Sequence, residues 1–238
     1  MRISEREATD LLTSGDPIDL GRAADEERRR RFGDTVTFIV DRNINYTNIC
    51  VNECRFCAFY TKVGAEDGYL LPMEEILAKV GETAEAGGTQ VMIQGGIHPD
   101  LPLSYYENML RAIRDRYPSI VIHSFTATEI LYFAEKEGIT IEDTLRRLQD
   151  AGLASLPGGG AEILVDRVRK LIAPKKIMTE DWLRVMRTAH KIGMESTATM
   201  VIGFGETMAE RVEHMEHIRR LQEETGGFRA FITWTFQP

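Results

Sequence analysis

Asn48-Ile49-Cys50-Val51-Asn52-Glu53-Cys54-Arg55-Phe56-Cys57-Ala58-Phe59-Tyr60 contains all three cysteines of the 238-residue chain, in a C-x3-C-x2-C spacing. Three thiolates in one short loop can converge on a single inorganic centre. A [4Fe-4S] cube has four irons, so three cysteines leave one iron without a protein ligand. A small molecule can bind that open iron and react there, as at the open position of a catalytic zinc. A pure electron-transfer cluster wants a fourth cysteine, and the chain has none. A structural zinc wants a fourth Cys or His, and the nearest histidine in sequence is His98. A disulfide would leave an odd thiol over.

Outward from this loop the chain alternates between two periodicities. Val36-Thr37-Phe38-Ile39-Val40 is β-branched and apolar and predicts a buried first strand leading into the cysteines. Residues 3–13 and 20–31 before it read as amphipathic helices. The run Arg28-Arg29-Arg30-Arg31 suits a solvated helix C-terminus. Downstream, Pro72 opens a helix with Ile76, Leu77, Val80 and Ala84 at helical spacing, closed by Gly87-Gly88. Further strands are expected at 90–93, 120–123, 153–156, 196–202 and 228–234. Helices between them cover 103–117, the stretch to Asp150 with Thr140 as its second cap, 180–191 and 208–224. Strands alternating with helices predict parallel βαβ units, hence an α/β fold whose six strands form a partial (βα) barrel. The expected division is a helical segment, 1–34, followed by the barrel, 35–238.

Composition limits the partners. A net charge of −8 argues against nucleic acid and anionic membranes. The sequence has no apolar run of membrane-spanning length and no apolar signal core at its start. Free thiols and an oxygen-labile cluster fit a reducing cytoplasm.

In barrels of this kind the chemistry sits at the C-terminal strand ends. After the first strand come Asp41, Arg42, Asn43, Asn45, Tyr46 and Asn48, of which Tyr46 and Asn48 are candidate substrate contacts. After the second comes Gln94-Gly95-Gly96-Ile97-His98, whose paired glycines admit a ligand close to the backbone. His98 is a candidate base or substrate contact. After the third comes Thr126-Ala127-Thr128-Glu129, with Glu129 either a catalytic base or half of a capping box. After the fourth, Pro157-Gly158-Gly159-Gly160-Ala161-Glu162 suggests close approach of a nucleoside, with Glu162 placed for ribose hydroxyls. After the fifth, Gly203-Phe204-Gly205-Glu206-Thr207 reads the same way. Phe59, Tyr60 and Trp234 suit a dry aromatic wall, with Tyr60 on the substrate side.

C-x3-C-x-Phe-C, with Phe56 before the last cysteine, resembles the signature loop of the radical S-adenosylmethionine (radical SAM) family. The resemblance implies a TIM-type radical SAM barrel of which strands 1–6 are present. It implies a [4Fe-4S] cluster on Cys50, Cys54 and Cys57, and SAM chelated to the open iron and cleaved to a 5′-deoxyadenosyl radical. Phe56, Gln94, Gly95, Gly96, Glu162, Gly203, Gly205 and Glu206 then form the cofactor set. The family carries Gly-Gly-Glu where this chain has Gly95-Gly96-Ile97, which leaves the SAM amine to backbone carbonyls or Gln94. An electron donor such as flavodoxin or ferredoxin is implied as well.

Residues 41–48, 157–164, 203–207 and Trp234-Thr235-Phe236-Gln237-Pro238 resemble the futalosine-cyclase branch of the family, on the route to menaquinone. Aminofutalosine synthase and the subunit making a deazaflavin precursor share the cysteine and glycine loops and are the alternatives within the family. A non-catalytic iron-sulfur sensor or carrier is the alternative outside it. On this resemblance the chain is expected to be truncated after the sixth strand, with an unpaired edge that invites association.

Overall fold

The computed structural model describes residues 3–237, so Pro238 of the closing motif lies outside it. The chain begins with two helices, α1 (Glu5–Ser14) and α2 (Pro17–Phe32). Ser4 and Glu7 cap α1 reciprocally, and Asp16 with Pro17 opens α2. The arginine run closes α2 as expected, each guanidinium paired to an acid one turn back.

Six strands follow: β1 (Asp41–Asn45), β2 (Gln90–Gln94), β3 (Val121–Ser124), β4 (Ser155–Leu156), β5 (Glu195–Ile202) and β6 (Phe228–Thr235). They pair in sequence order and all in parallel. Between them stand α3 (Met73–Glu85), α4 (Leu103–Arg116), α5 (Ala127–Glu137), α6 (Ile141–Ala151), α7 (Asp166–Ile172), α8 (Thr179–Lys191) and α9 (Met208–Thr225). This is the expected α/β architecture, a curled half-barrel with its helices outside.

The first strand is not where the apolar run placed it. Val36 to Val40 lies outside any strand, with Val36 and Phe38 more than 80% exposed. The ladder to β2 begins at Asp41↔Gln90 and ends at Asn45↔Gln94. Ile44 faces the helices, while Asp41, Asn43 and Asn45 face the barrel interior. A polar inner face hid this strand from a search for apolar runs.

The helix-facing core is one cluster built on Val91, Ile93, Ile122, Leu156 and Ala198, with Tyr106, Phe125, Phe133 and Trp182 from the surrounding elements. The floor of the half-barrel is polar. Arg229 of β6 reaches across to Ser155 (3.0 Å), His123 (3.3 Å) and Gln90 (3.4 Å), and Gln90 donates to Asp41 (3.1 Å). These bonds tie the first strand to the last at the end opposite the cysteines. His123, buried and bonded to Ser155 Oγ at 2.7 Å, is a wall residue, as its place inside a strand implied.

Candidate active site

One cavity opens at the C-terminal ends of the strands. Cys50, Cys54, Cys57 and Phe56 line one side, Asn45, Gln94, Gly95 and Gly96 another, and Gly159, Gly160, Glu162 and Lys176 a third. Thr126, Thr128 and Glu129 after β3 complete the lining, so the strand-end loops from β1 to β4 meet there.

The cysteine loop is fastened on both flanks. Cys50 N–H donates to Thr61 O, Val51 N–H to Ile97 O, and Arg55 N–H to Ile172 O. Lys175 closes it with an ion pair to Glu53 at 2.7 Å. The glycine doublet has a steric purpose. A Cβ at Gly96 would stand 2.2 Å from Ile49 O and 2.9 Å from Cys50 Cβ, and one at Gly95 would stand 2.7 Å from the Tyr46 ring. Only glycine lets β2's exit pass beneath the cysteines.

Among the described residues no group of three His, Cys, Asp or Glu side chains is set to hold a metal ion. A cluster makes a different demand, one thiolate per iron, and brings its own sulfides. Three free thiols on one cavity wall, under a loop pinned at both ends, fit that demand. Burial pushes the Cys54 thiol up to about 11 against the pull of Lys176, so bound iron must draw its proton off.

Several expected contacts are corrected. Tyr46 is fully buried, with its ring in the core and its hydroxyl donating to Glu129 at 3.1 Å, so it does not face the cavity. Asn48 borders the cavity, but its amide clasps the loop, donating to Asp67 O and accepting from Tyr69 N–H. His98 lies outside the cavity; its Nδ1 accepts from Asp100 N–H at 3.2 Å, which closes a local turn. Glu206 turns inward on its own loop, accepting from Gly203 N–H, Phe204 N–H and Arg211. Gly203 and Gly205 do not line the cavity; their loop stands behind its wall, with Phe204 packed on Phe56 at 5.2 Å.

Glu129, from the exit of β3, lines the cavity. Its carboxylate accepts from Thr126 N–H and Oγ1, from Gly95 N–H and from the Tyr46 hydroxyl. With four donors engaged, it caps α5 and holds the glycine doublet, the capping-box half of its two expected roles. Burial raises its pKa, and those donors work the other way. Gly158 likewise has a structural reason, since a Cβ there would stand 2.7 Å from the Ala198 backbone of β5.

Glu162 and Tyr60 do line the cavity. Glu162 holds a left-handed backbone (φ 41°), which aims its carboxylate at Lys176 Nζ (2.8 Å) with Arg169 at 3.6 Å. Lys176 was not legible in the sequence, because it sits in the turn between α7 and α8 outside any periodic segment. Its ammonium lies 5.6 Å from the Phe56 ring centre. Burial works against this cation, but the Glu162 carboxylate and Cys54 together outweigh it and keep its pKa above the ordinary value. The cavity thus has an ionic wall beside the cysteines and a neutral amide wall at β1 and β2.

Residues 44–218 match the model of the radical SAM superfamily. The chain belongs to that family. Radical SAM proteins are enzymes that use a [4Fe-4S] cluster and S-adenosylmethionine, and the matched range includes all three cysteines. This chain is 48% identical over 241 residues to cyclic dehypoxanthine futalosine synthase of Streptomyces coelicolor, covering all of this chain and 60% of that protein. It is 45% identical to the Halalkalibacterium halodurans protein of the same name, of which it covers 64%. It is also 45% identical over 228 residues to a 5-amino-6-(D-ribitylamino)uracil–L-tyrosine 4-hydroxyphenyl transferase of Methanosarcina mazei, covering 96% of this chain and 60% of that one. The chain therefore spans about three-fifths of the length of these relatives.

The radical SAM architecture has close counterparts among solved structures. The FeFe-hydrogenase maturase HydG from Carboxydothermus hydrogenoformans superposes with a TM-score of 0.77 at 20% identity, covering the whole of this chain and 54% of that one. Methylornithine synthase PylB gives 0.76 at 16% identity, covering 100% and 66%. No helix among the described residues is long and apolar enough to cross a membrane.

Proposed function

We propose that this radical SAM chain belongs to an enzyme that cyclises dehypoxanthine futalosine, on the futalosine route to menaquinone. The observation that carries the reading is the 48% identity, across the whole chain, to a protein named for that product. A transferase joining tyrosine to a ribitylaminouracil is the second reading, favoured by 45% identity over 228 residues. The Asp41-to-Tyr46 entry and the Trp234-to-Gln237 end incline the choice to the cyclase.

In this reading Cys50, Cys54 and Cys57 hold the cluster, whose bound SAM supplies a 5′-deoxyadenosyl radical. The chain's own share is positioning and exclusion of water. Phe56, Phe59 and Tyr60 form an apolar side of the cavity. Glu162, with Lys176 and Arg169 behind it, is fixed to receive ribose hydroxyls. Glu129 holds the Gly95 exit loop, its oxygens taken by Thr126, Gly95 and Tyr46. The electron donor is a flavodoxin or ferredoxin, and the compartment is the reducing cytoplasm.

The test is an anaerobic incubation with SAM, a reductant and the linear substrate deuterated at C4′. Deuterium appears in 5′-deoxyadenosine, and the product is two hydrogens lighter than the substrate. Consumption of tyrosine with the ribitylaminouracil, or of an enolpyruvyl benzoate, replaces this reading.

A further inference from the structure

We infer that Asn45, Asn43 and Gln94 form an amide relay that recognises a pair of sugar hydroxyls on the substrate. Asn45 and Gln94 are directly paired across β1 and β2, at the C-terminal ends of both strands, and both line the cavity. Asn43 stands one pleat below Asn45 on the same inner face. Gln94 Nε2 donates to Asn43 Oδ1 at 3.4 Å, and Asn43 Nδ2 donates to Asn45 Oδ1 at 2.7 Å. The relay therefore leaves two ends without a side-chain partner inside the relay, the Gln94 Oε1 acceptor and the Asn45 Nδ2 donor.

This polarity does not depend on how the amides are turned. If all three are reversed, Gln94 ends in a donor and Asn45 in an acceptor. In either sense the wall offers one donor beside one acceptor, fixed relative to each other by Asn43. A hydroxyl both donates and accepts, so two neighbouring hydroxyls satisfy both ends. A carboxylate cannot, because it has nothing to donate. The three amides themselves carry no charge, whereas the opposite side carries Lys176 and Glu162. Division of labour follows: Glu162 and Lys176 serve the cofactor, and the three amides, Gln94 included, serve a neutral polyol rather than the SAM amine.

The inference rests on the cyclase reading, because it assigns the hydroxyls to the sugar of the linear substrate. Asn45 is a binding residue, and Asn43 acts through it as a positioning residue. Asn43 does not line the cavity, so Asn43→Val alters the relay without touching the ligand.

The experiment measures equilibrium binding to the anaerobically reconstituted protein with SAM present. The probes are dehypoxanthine futalosine and the same compound lacking the neighbouring 2- and 3-hydroxyls of its sugar. The unaltered protein prefers the hydroxylated probe by roughly tenfold or more, the worth of one to two neutral hydrogen bonds. Asn45→Ala and Asn43→Val reduce that preference to near unity, while SAM affinity and the visible absorption of the cluster stay unchanged. Asn43→Gln restores part of it. If the protein binds the substrate but both variants keep the preference, the relay is not the recognition element and the cyclase reading stands. If the variants lose SAM affinity instead, the relay belongs to the cofactor and the inference falls. If neither probe binds the unaltered protein, the cyclase reading falls and takes this inference with it.

Discussion

Glu129 accepts the backbone N–H of Gly95 at 3.2 Å. An acid from the third strand-end loop thereby holds the glycine doublet of the second, where Ile97 occupies the position at which the family carries an acid. Glu129→Gln keeps the shape but turns an amide nitrogen toward donors. A buried donor left without its acceptor costs roughly 1–3 kcal/mol, and at least one of the four is left so. We expect a stability loss of about 2 kcal/mol in urea unfolding. Iron binding by the cysteines is then impaired only to the extent that Gly95 and Gly96 shift. An unchanged unfolding midpoint would return Glu129 to the list of free acids.

The steric role of Gly96 gives a sharper test. Gly96→Ala forces a Cβ against Ile49 O and Cys50 Cβ, so the cysteine loop must move. Reconstituted protein should carry well under half the iron and sulfide of the unaltered chain. Gly21→Ala, in α2 with nothing near its would-be Cβ, is the control and should load normally. Equal loading of both would mean that the loop tolerates displacement.

Removing one member of a buried ion pair strands the other. Lys176→Met leaves Glu162 beside Arg169 alone, and loss of a partner in such pairs costs roughly 3–5 kcal/mol. The double variant Lys176→Met with Glu162→Gln should recover part of that loss, giving a coupling of at least about 1 kcal/mol. Strict additivity in thermal or urea unfolding would show that the pair is not coupled.

Buried His214 predicts acid sensitivity. Burial lowers its pKa to about 3, while its Nδ1 accepts from Leu164 N–H at 2.9 Å. Below pH 6.5 the unfolded chain takes up a proton that the folded chain refuses. Its stabilising contribution is therefore present above pH 6.5 and is lost as pH falls toward 3. Between pH 6.5 and 5 the loss from this residue is about 2 kcal/mol. His123 and His190, each lowered to about 4 mainly by burial, add in the same direction. His214→Asn keeps an acceptor for Leu164 and should flatten the fall measured by urea midpoints at pH 7 and pH 5. An equal fall in the variant would contradict this.

The legible part of the chain was the part governed by period and spacing. Amphipathic helices, the cysteine loop and five of the six strands carry local signals. The first strand does not, because Asp41, Asn43 and Asn45 face a polar interior while an exposed apolar run stands just before them. Site residues divide the same way. Cysteines and Glu162 were legible as residue types at strand ends. Tyr46, Asn48 and His98 were equally plausible by type, but a sequence does not say that a tyrosine ring lies under Gly95 or that an asparagine clasps Tyr69. Lys176 reaches the cavity only through the turn after α7, a long-range placement with no sequence period.

The most direct test of the cluster-and-SAM cavity is electron paramagnetic resonance of the reduced, anaerobically reconstituted protein, recorded with and without SAM, alongside iron and sulfide counts. The account predicts a [4Fe-4S] signal that changes on adding SAM, because one iron lacks a protein ligand, and loss of that signal in Cys54→Ala. A signal indifferent to SAM, or a Cys54→Ala protein that keeps its full iron, would contradict it.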